Sequence, residues 1–154
     1  HELIENVTGN FLIQIENSGG LLIPSLHAEK FMVKADPVHL TNVISNLIDN
    51  AIKYTPENPE IFIETRNIDD YVQVSVKDNG IGISRNNQKR VFERFYRVPT
   101  GNVHNVKGFG LGLNYVKKII EIHKGSIEVE SEPGNGTTFS FRLPLKTQNS
   151  YARN

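Results

Sequence analysis

The spacing of apolar residues changes character several times along the chain, and each change predicts an element. Leu3, Ile4, Val7, Phe11, Leu12 and Ile15 recur at helical spacing until Ser18-Gly19-Gly20 interrupts them. Residues 21–26 and 31–35 read as two short strands in a β-hairpin-like unit, with Pro24 in its first arm. Asp36-Pro37 predicts a cap followed by proline at the first helical position. The helix it opens carries Leu40, Val43, Ile44, Leu47, Ile48, Ala51 and Ile52, an unbroken i, i+3, i+4 stripe, and Thr55-Pro56 ends it. Residues 60–68 and 71–77 alternate apolar and polar, as half-buried strands joined by a tight turn at Asp69-Asp70. A short helix is expected over 88–96, then a long mobile loop over 98–110 rich in glycine and small polar residues. Residues 111–123 predict a helix ending at Lys124-Gly125. Residues 126–131 and 137–143 predict a hairpin about Pro133-Gly134-Asn135-Gly136. After Leu145 the tail is polar and reads as disordered. Strands interleaved with amphipathic helices predict an α/β two-layer sandwich on a mixed sheet.

Three segments carry candidate chemistry. On the 37–54 helix, Asn46, Asn50 and Lys53 fall within about 60° of one another, roughly 90° or more from the apolar stripe. A solvated helix face would explain them. Asparagine, however, is a poor helix former, and Asn42, Asn46 and Asn50 repeat it at a spacing of four. Amide oxygens are hard neutral ligands suited to Mg²⁺, and a lysine supplies a point charge for phosphate. The second segment is Asp78-Asn79-Gly80-Ile81-Gly82-Ile83, directly after the 71–77 strand. A carboxylate there accepts hydrogen bonds, as the exocyclic amine of adenine requires, and glycines allow a base to approach the backbone. The alternative is a type I′ turn at Asn79-Gly80. The third is Gly108-Phe109-Gly110-Leu111-Gly112-Leu113, whose free N–H groups at a helix start suit phosphate. Its likeness to a dinucleotide fingerprint is superficial, because no βαβ unit surrounds it.

Composition narrows the class. The 154 residues are 38% hydrophobic and 22% charged, enough for one domain with a core. There is no cysteine, which removes disulfides and thiolate metal sites. No apolar run approaches membrane-spanning length, and no signal peptide is visible. Charge balances overall at 17 basic and 17 acidic residues. Locally it does not. Arg85, Lys89, Arg90, Arg94, Arg97 and Lys107 face Glu93 alone, a basic stretch between two glycine clusters that suits polyphosphate. Nucleic acid is not expected, since the remainder is not basic and carries no recognition motif. The five histidines show no metal-ligand spacing. His1-Glu2-Leu3 is only faintly similar to a phosphoacceptor motif.

Taken together, the segments resemble the signature boxes of sensor histidine kinases. Asn46–Tyr54 looks like the N box, Asp78–Ile83 the G1 box, residues 92–97 the F box and 108–113 the G2 box. Residues 133–139 are similar to the terminal glycine box. The resemblance covers about residues 36–144. It implies the catalytic ATP-binding domain of a two-component kinase, in the superfamily of gyrase, the heat-shock chaperone and mismatch-repair ATPases. The fold implied is a mixed sheet covered on one face by three helices, with ATP beneath a mobile lid at 98–107. Carried over, Asp78 binds the adenine amine, Tyr54 packs on the base, and Asn46 and Asn50 hold Mg²⁺. Lys53 and Arg97 meet phosphates. Gly80, Gly82, Ile83, Gly108, Phe109, Gly110, Leu111, Gly112 and Thr138 complete the nucleotide site. Phe109 stands where many members carry threonine, which puts a hydroxyl contact in doubt.

The resemblance also implies partners. The family phosphorylates a histidine on a dimeric helical hairpin that precedes this domain, and then signals to a response regulator receiver domain. The hairpin is missing from these residues. The expectation is therefore a catalytic domain over 1–145 and a tail over 146–154, monomeric, cytoplasmic, and linked to a membrane only through other parts of a parent protein. Two alternatives remain. One is an ATPase or anti-sigma-type serine kinase of the same superfamily. It would want a general base, yet those relatives carry glutamate where this chain has Asn46. The other is a regulatory module that binds nucleotide without transferring phosphate.

Overall fold

The structure, a computed structural model, describes residues 1–98 and 112–147. The expected lid over 98–107 lies outside the described residues except for Val98, as do Gly108, Phe109, Gly110, Leu111 and the tail from 148.

Five strands form one mixed sheet in the order β1-β2-β3-β5-β4. They are β1 (Leu21–Leu26), β2 (Glu60–Ile68), β3 (Tyr71–Lys77), β4 (Ser126–Ser131) and β5 (Thr137–Pro144). β1 runs parallel to β2, and the other neighbours are antiparallel. Three helices, α1 (Glu2–Asn17), α2 (Pro37–Lys53) and α4 (Gly112–Ile122), pack on one face, and the four-residue α3 (Arg85–Gln88) lies beyond the end of β3. The architecture is the predicted two-layer sandwich.

Alternation decides which face is covered. Ile61, Ile63 and Thr65 of β2, Val72, Val74 and Val76 of β3, and Phe139, Phe141 and Leu143 of β5 are buried. They meet Val43, Ile44, Leu47, Ile48 and Ala51 of α2 and Val116, Ile119 and Ile120 of α4. Each fully buried aliphatic side chain contributes about 1.5–3 kcal/mol, so the α2 stripe anchors the helix. The other face of the sheet carries exposed Leu21, Ile23 and Phe62 on β1 and β2 and is polar where β3 meets β5. Arg142 donates to Gln73 at 3.0 Å, and Ser75 bonds Ser140 at 2.8 Å.

The start of α2 follows its sequence. Asp36 Oδ1 accepts from the N–H groups of Val38 and His39 at 2.9 and 3.1 Å, ahead of Pro37. His123 Nε2 accepts the Asp36 N–H at 3.0 Å, while His123 Nδ1 lies 2.7 Å from the Ile119 carbonyl. One imidazole thus ties the start of α2 to the end of α4.

Two expectations are corrected. Residues 31–35 form no strand, and the 21–35 hairpin does not exist. After β1 the chain keeps following β2, with His27 N–H on the Thr65 carbonyl, Ala28 N–H on Thr65 Oγ1 and Lys30 N–H on Asn67 Oδ1. Only Val33 then makes a bridge, to Leu145. The 88–96 helix is likewise absent. Arg90, Glu93 and Tyr96 each donate to the carbonyl three residues back, giving successive tight turns, and Phe95 has φ +64°, outside any right-handed helix.

Candidate nucleotide site

β3 is the central strand of the sheet, and Asp78 directly follows it. Even-numbered β3 residues face the helices, and Asp78 continues that face; it is 6% exposed. Asp78 Oδ1 accepts from Gly80 N–H at 2.8 Å and Thr137 N–H at 3.1 Å. Asp78 N–H in turn donates to the Thr137 carbonyl at 2.9 Å. One carboxylate oxygen is therefore committed to the backbone, which fixes the direction of the other. Burial holds the Asp78 pKa above its ordinary value of 3.8, against the two N–H groups that pull it down.

The loop after Asp78 is held on two sides. Ile81 N–H donates to the carbonyl of Tyr54, the C-cap of α2, at 3.0 Å. On the other side, Gly134 N–H donates to the Ile81 carbonyl at 2.7 Å, and Ile83 N–H donates to Ser131 Oγ at 2.8 Å. Close approach explains the glycines. A Cβ on Gly80 would lie 2.4 Å from the Tyr54 carbonyl oxygen, and one on Gly82 would lie 2.0 Å from the Glu132 carbonyl oxygen. Asn79 and Gly80 are not among the positive-φ residues, so the type I′ alternative is excluded; Gly82 has φ +73°.

Toward α4, Asn46 Nδ2 donates to the Asn42 carbonyl at 2.8 Å. A carbonyl accepts only, so the NH₂ must face it and Oδ1 must face away. Oδ1 lies 3.0 Å from the point a Gly112 Cβ would occupy. The amide oxygen of Asn46 therefore stands at the start of α4. Asn50 is half-buried one turn further along, and its side chain makes no hydrogen bond to a described residue. Lys53 is exposed and pairs with Asp49 at 2.7 Å. An exposed i, i+4 pair contributes about 0.3–0.5 kcal/mol, so another anion could displace Asp49 readily.

The structure thus brings Tyr54, Asp78, Gly80, Gly82 and Ile83 together at one end of α2, with Asn46, Asn50 and Gly112 along its side toward α4. Arg97 is exposed near the end of the described stretch. Thr138 is placed elsewhere. It pairs with Lys77, and strand alternation turns its side chain to the opposite sheet face, whereas Thr137 is buried on the Asp78 side.

Sequence reasoning missed four residues here. Thr137, Ser131 and Gln88 hold the loop; Gln88 Nε2 donates to the Ile83 and Ser131 carbonyls at 2.7 and 2.8 Å. The fourth is Thr55, 4% exposed, whose Oγ1 is the one buried side-chain polar atom without a partner among the described residues. The Thr55-Pro56 pair signals a helix end, and nothing in the pair reports burial. In the 92–97 segment, Phe92 packs edge-on against Phe139 at 6.0 Å, while Phe95 is exposed.

Comparison with known proteins places this arrangement. Residues 35–147 match the family described as histidine kinase-, DNA gyrase B- and HSP90-like ATPases. Sensor protein RprX of Bacteroides fragilis is 48% identical over 147 residues, covering 94% of this chain and 28% of the relative. The chain thus spans less than a third of that relative's length. The catalytic domain of histidine kinase ThkA superposes with a TM-score of 0.82 at 31% identity, covering 95% of this chain and 94% of that one. ThkA in complex with the response regulator protein TrrA gives 0.77 at 30% identity, covering 94% of this chain and 40% of that one.

Proposed function

The chain belongs to the histidine kinase-, DNA gyrase B- and HSP90-like ATPase family, and from that premise we propose that it binds Mg-ATP and donates the γ-phosphate to a histidine on a dimeric helical hairpin outside these residues. The single observation that carries this reading is Asp78. It is a buried carboxylate with one oxygen held by two backbone N–H groups, at the floor of a glycine-lined site. Its second oxygen can only accept while ionised, which matches the exocyclic amine of adenine. Guanine presents a carbonyl at that position and would be repelled.

The residues fit a divalent cation. Asn46 Oδ1 is oriented away from its own helix, Asn50 offers a second amide oxygen, and no cluster of three acidic, histidine or cysteine side chains stands among the described residues. Such a donor set suits an ion that keeps water and phosphate ligands, as Mg²⁺ does. When bound, it would offset the charge on the phosphate oxygens. Tyr54 would pack on the base, Lys53 and Arg97 would meet phosphates, and the N–H groups at Gly108, Gly110 and Gly112 would add donors. Segment 98–107 would close over ATP. An amide at Asn46 cannot take a proton from water, which weighs against a dedicated hydrolase. A neutral imidazole brings its own lone pair and needs no such base.

The ThkA–TrrA complex supports a response regulator receiver domain as the downstream partner. A cytoplasmic location, with a parent protein anchored elsewhere, is consistent with the described helices, none of which is long and apolar enough to cross a membrane.

Calorimetry on Asp78→Ala tests the reading. Losing a hydrogen bond to a charged group costs roughly 1.5–3 kcal/mol, about 10- to 150-fold in ATP affinity, and GTP should bind poorly to the unsubstituted chain. Unchanged ATP affinity in the variant would rule the proposal out.

A further inference from the structure

Thr55 lies at the junction that the nucleotide reading depends on. Its Oγ1 is 2.8 Å, and Asp78 Oδ1 is 2.9 Å, from the point where a Gly80 Cβ would sit. The two oxygens therefore flank the same glycine. Among the described residues Oγ1 has no hydrogen-bond partner, although the residue is 4% exposed. A buried hydroxyl left without a partner is disfavoured, and such groups persist where a later state satisfies them. The neighbouring polar groups narrow the choice. The Tyr54 carbonyl already accepts from Ile81. The Asp78 carboxylate retains acceptor capacity, because an ionised carboxylate has about four lone-pair sites and two N–H groups occupy part of it.

We propose that Thr55 is a positioning residue for Asp78: when a base occupies the pocket, the Thr55 hydroxyl donates to the Asp78 carboxylate and holds it for the base amine. This rests on the reading of Asp78 as the base acceptor. The hydroxyl is already out of water, so the new bond carries no further desolvation cost and appears wholly as affinity. Lys53 at the end of α2, Tyr54 at its C-cap, Lys77 on β3 and Glu132 in the β4–β5 turn are the charged or titratable groups that adjoin Asp78 and its loop along these elements. Burial raises the Asp78 pKa, and the Gly80 and Thr137 N–H groups pull against it.

The test is ADP affinity of the whole chain carrying Thr55→Val or Thr55→Ser, measured by calorimetry from pH 8 downward, with the thermal midpoint of each protein recorded without nucleotide. Valine keeps the shape and removes the hydroxyl; serine keeps the hydroxyl. Expected are about a 10-fold loss of affinity at pH 8 for valine, near-native affinity for serine, and an unliganded thermal midpoint for valine no lower than native. The valine penalty should shrink as pH falls and Asp78 protonates, because a neutral carboxyl is the weaker acceptor. A merely structural threonine would lower the midpoint and leave no pH-dependent penalty. Native affinity in the valine variant, or equal losses in valine and serine, would overturn the proposal. Thr55→Ala carries the same comparison if valine does not fold. Should Asp78→Ala leave ADP affinity unchanged, the base reading itself fails. Should Asp78→Ala weaken binding while Thr55→Val does not, only the role of Thr55 fails.

Discussion

Asp78 is placed by backbone donors rather than by a countercharge, and that choice has a stability consequence. Its folded pKa lies above the ordinary value of 3.8, chiefly through burial. A carboxylate with a raised folded pKa binds its proton more tightly in the native state. Its favourable contribution is therefore complete below the unfolded pKa and is lost as pH rises through the folded one. At neutral pH the chain retains an ionised Asp78 against its own stability. Asp78→Asn should preserve both bonds, since an amide oxygen can accept from Gly80 and Thr137, while removing the buried charge. The expected result is an unliganded thermal midpoint equal to or above native at pH 7–8, with the difference closing toward pH 4. ATP affinity should fall, because an NH₂ group would then oppose the adenine amine. A midpoint clearly below native at pH 8 would show that the charge is not a burden. Among single residues, those with a chemical signature could be read from the sequence. A carboxylate between a strand and two glycines is one; asparagines at a spacing of four on a helix are another. Thr55 and Thr137 could not be read, because burial of a threonine is decided by what packs over it.

At the scale of elements, α2 was legible from end to end. Asp36-Pro37 specifies its start chemically, and the stripe from Leu40 to Ile52 specifies its buried face. Residues 31–35 were not, because alternation describes a half-buried extended segment and says nothing of whether a partner strand is free to receive it. The β4–β5 turn lies between these cases. Its glycines announce a tight turn, but only the structure shows how each meets the site: Gly134 through its N–H on the Ile81 carbonyl, which alanine would keep, and Gly136 through close packing. Gly134 and Gly136 both have positive φ, near +80°. A Cβ on Gly134 would meet nothing, whereas one on Gly136 would lie 2.0 Å from the Asp78 carbonyl oxygen. An L-residue at either position incurs backbone strain of roughly 1–2 kcal/mol. Only Gly136→Ala should also displace Asp78. Chemical denaturation should show both alanine variants destabilised, and nucleotide titration should show affinity kept in Gly134→Ala and lost in Gly136→Ala. Equal affinities in the two would mean that the turn acts on the fold alone.

Across the whole molecule, His1, His39 and His123 stand apart from the region where phosphates would lie. His1 stacks on Phe31 at 4.0 Å and bonds Thr65, far from the end of α2. His39 bonds Tyr115 at 2.9 Å in the first turn of α2, about 10 Å along the helix from Asn46 at 1.5 Å per residue. His123 caps the opposite end of α4 from Gly112 and is occupied on both ring nitrogens. A phosphoryl transfer requires the attacking atom in line with the leaving oxygen at near-contact distance, and none of these three imidazoles lies beside Asn46 and the start of α4. Asn46 supplies no general base for water. Incubated alone with radiolabelled Mg-ATP, the chain should therefore hydrolyse slowly and carry no acid-labile label. Added in trans, a cognate helical hairpin with its acceptor histidine should take up the γ-phosphate, and Asp78→Ala should abolish that uptake at limiting ATP. Stable phosphohistidine on His1, His27, His39, His104 or His123 of the isolated chain would contradict this.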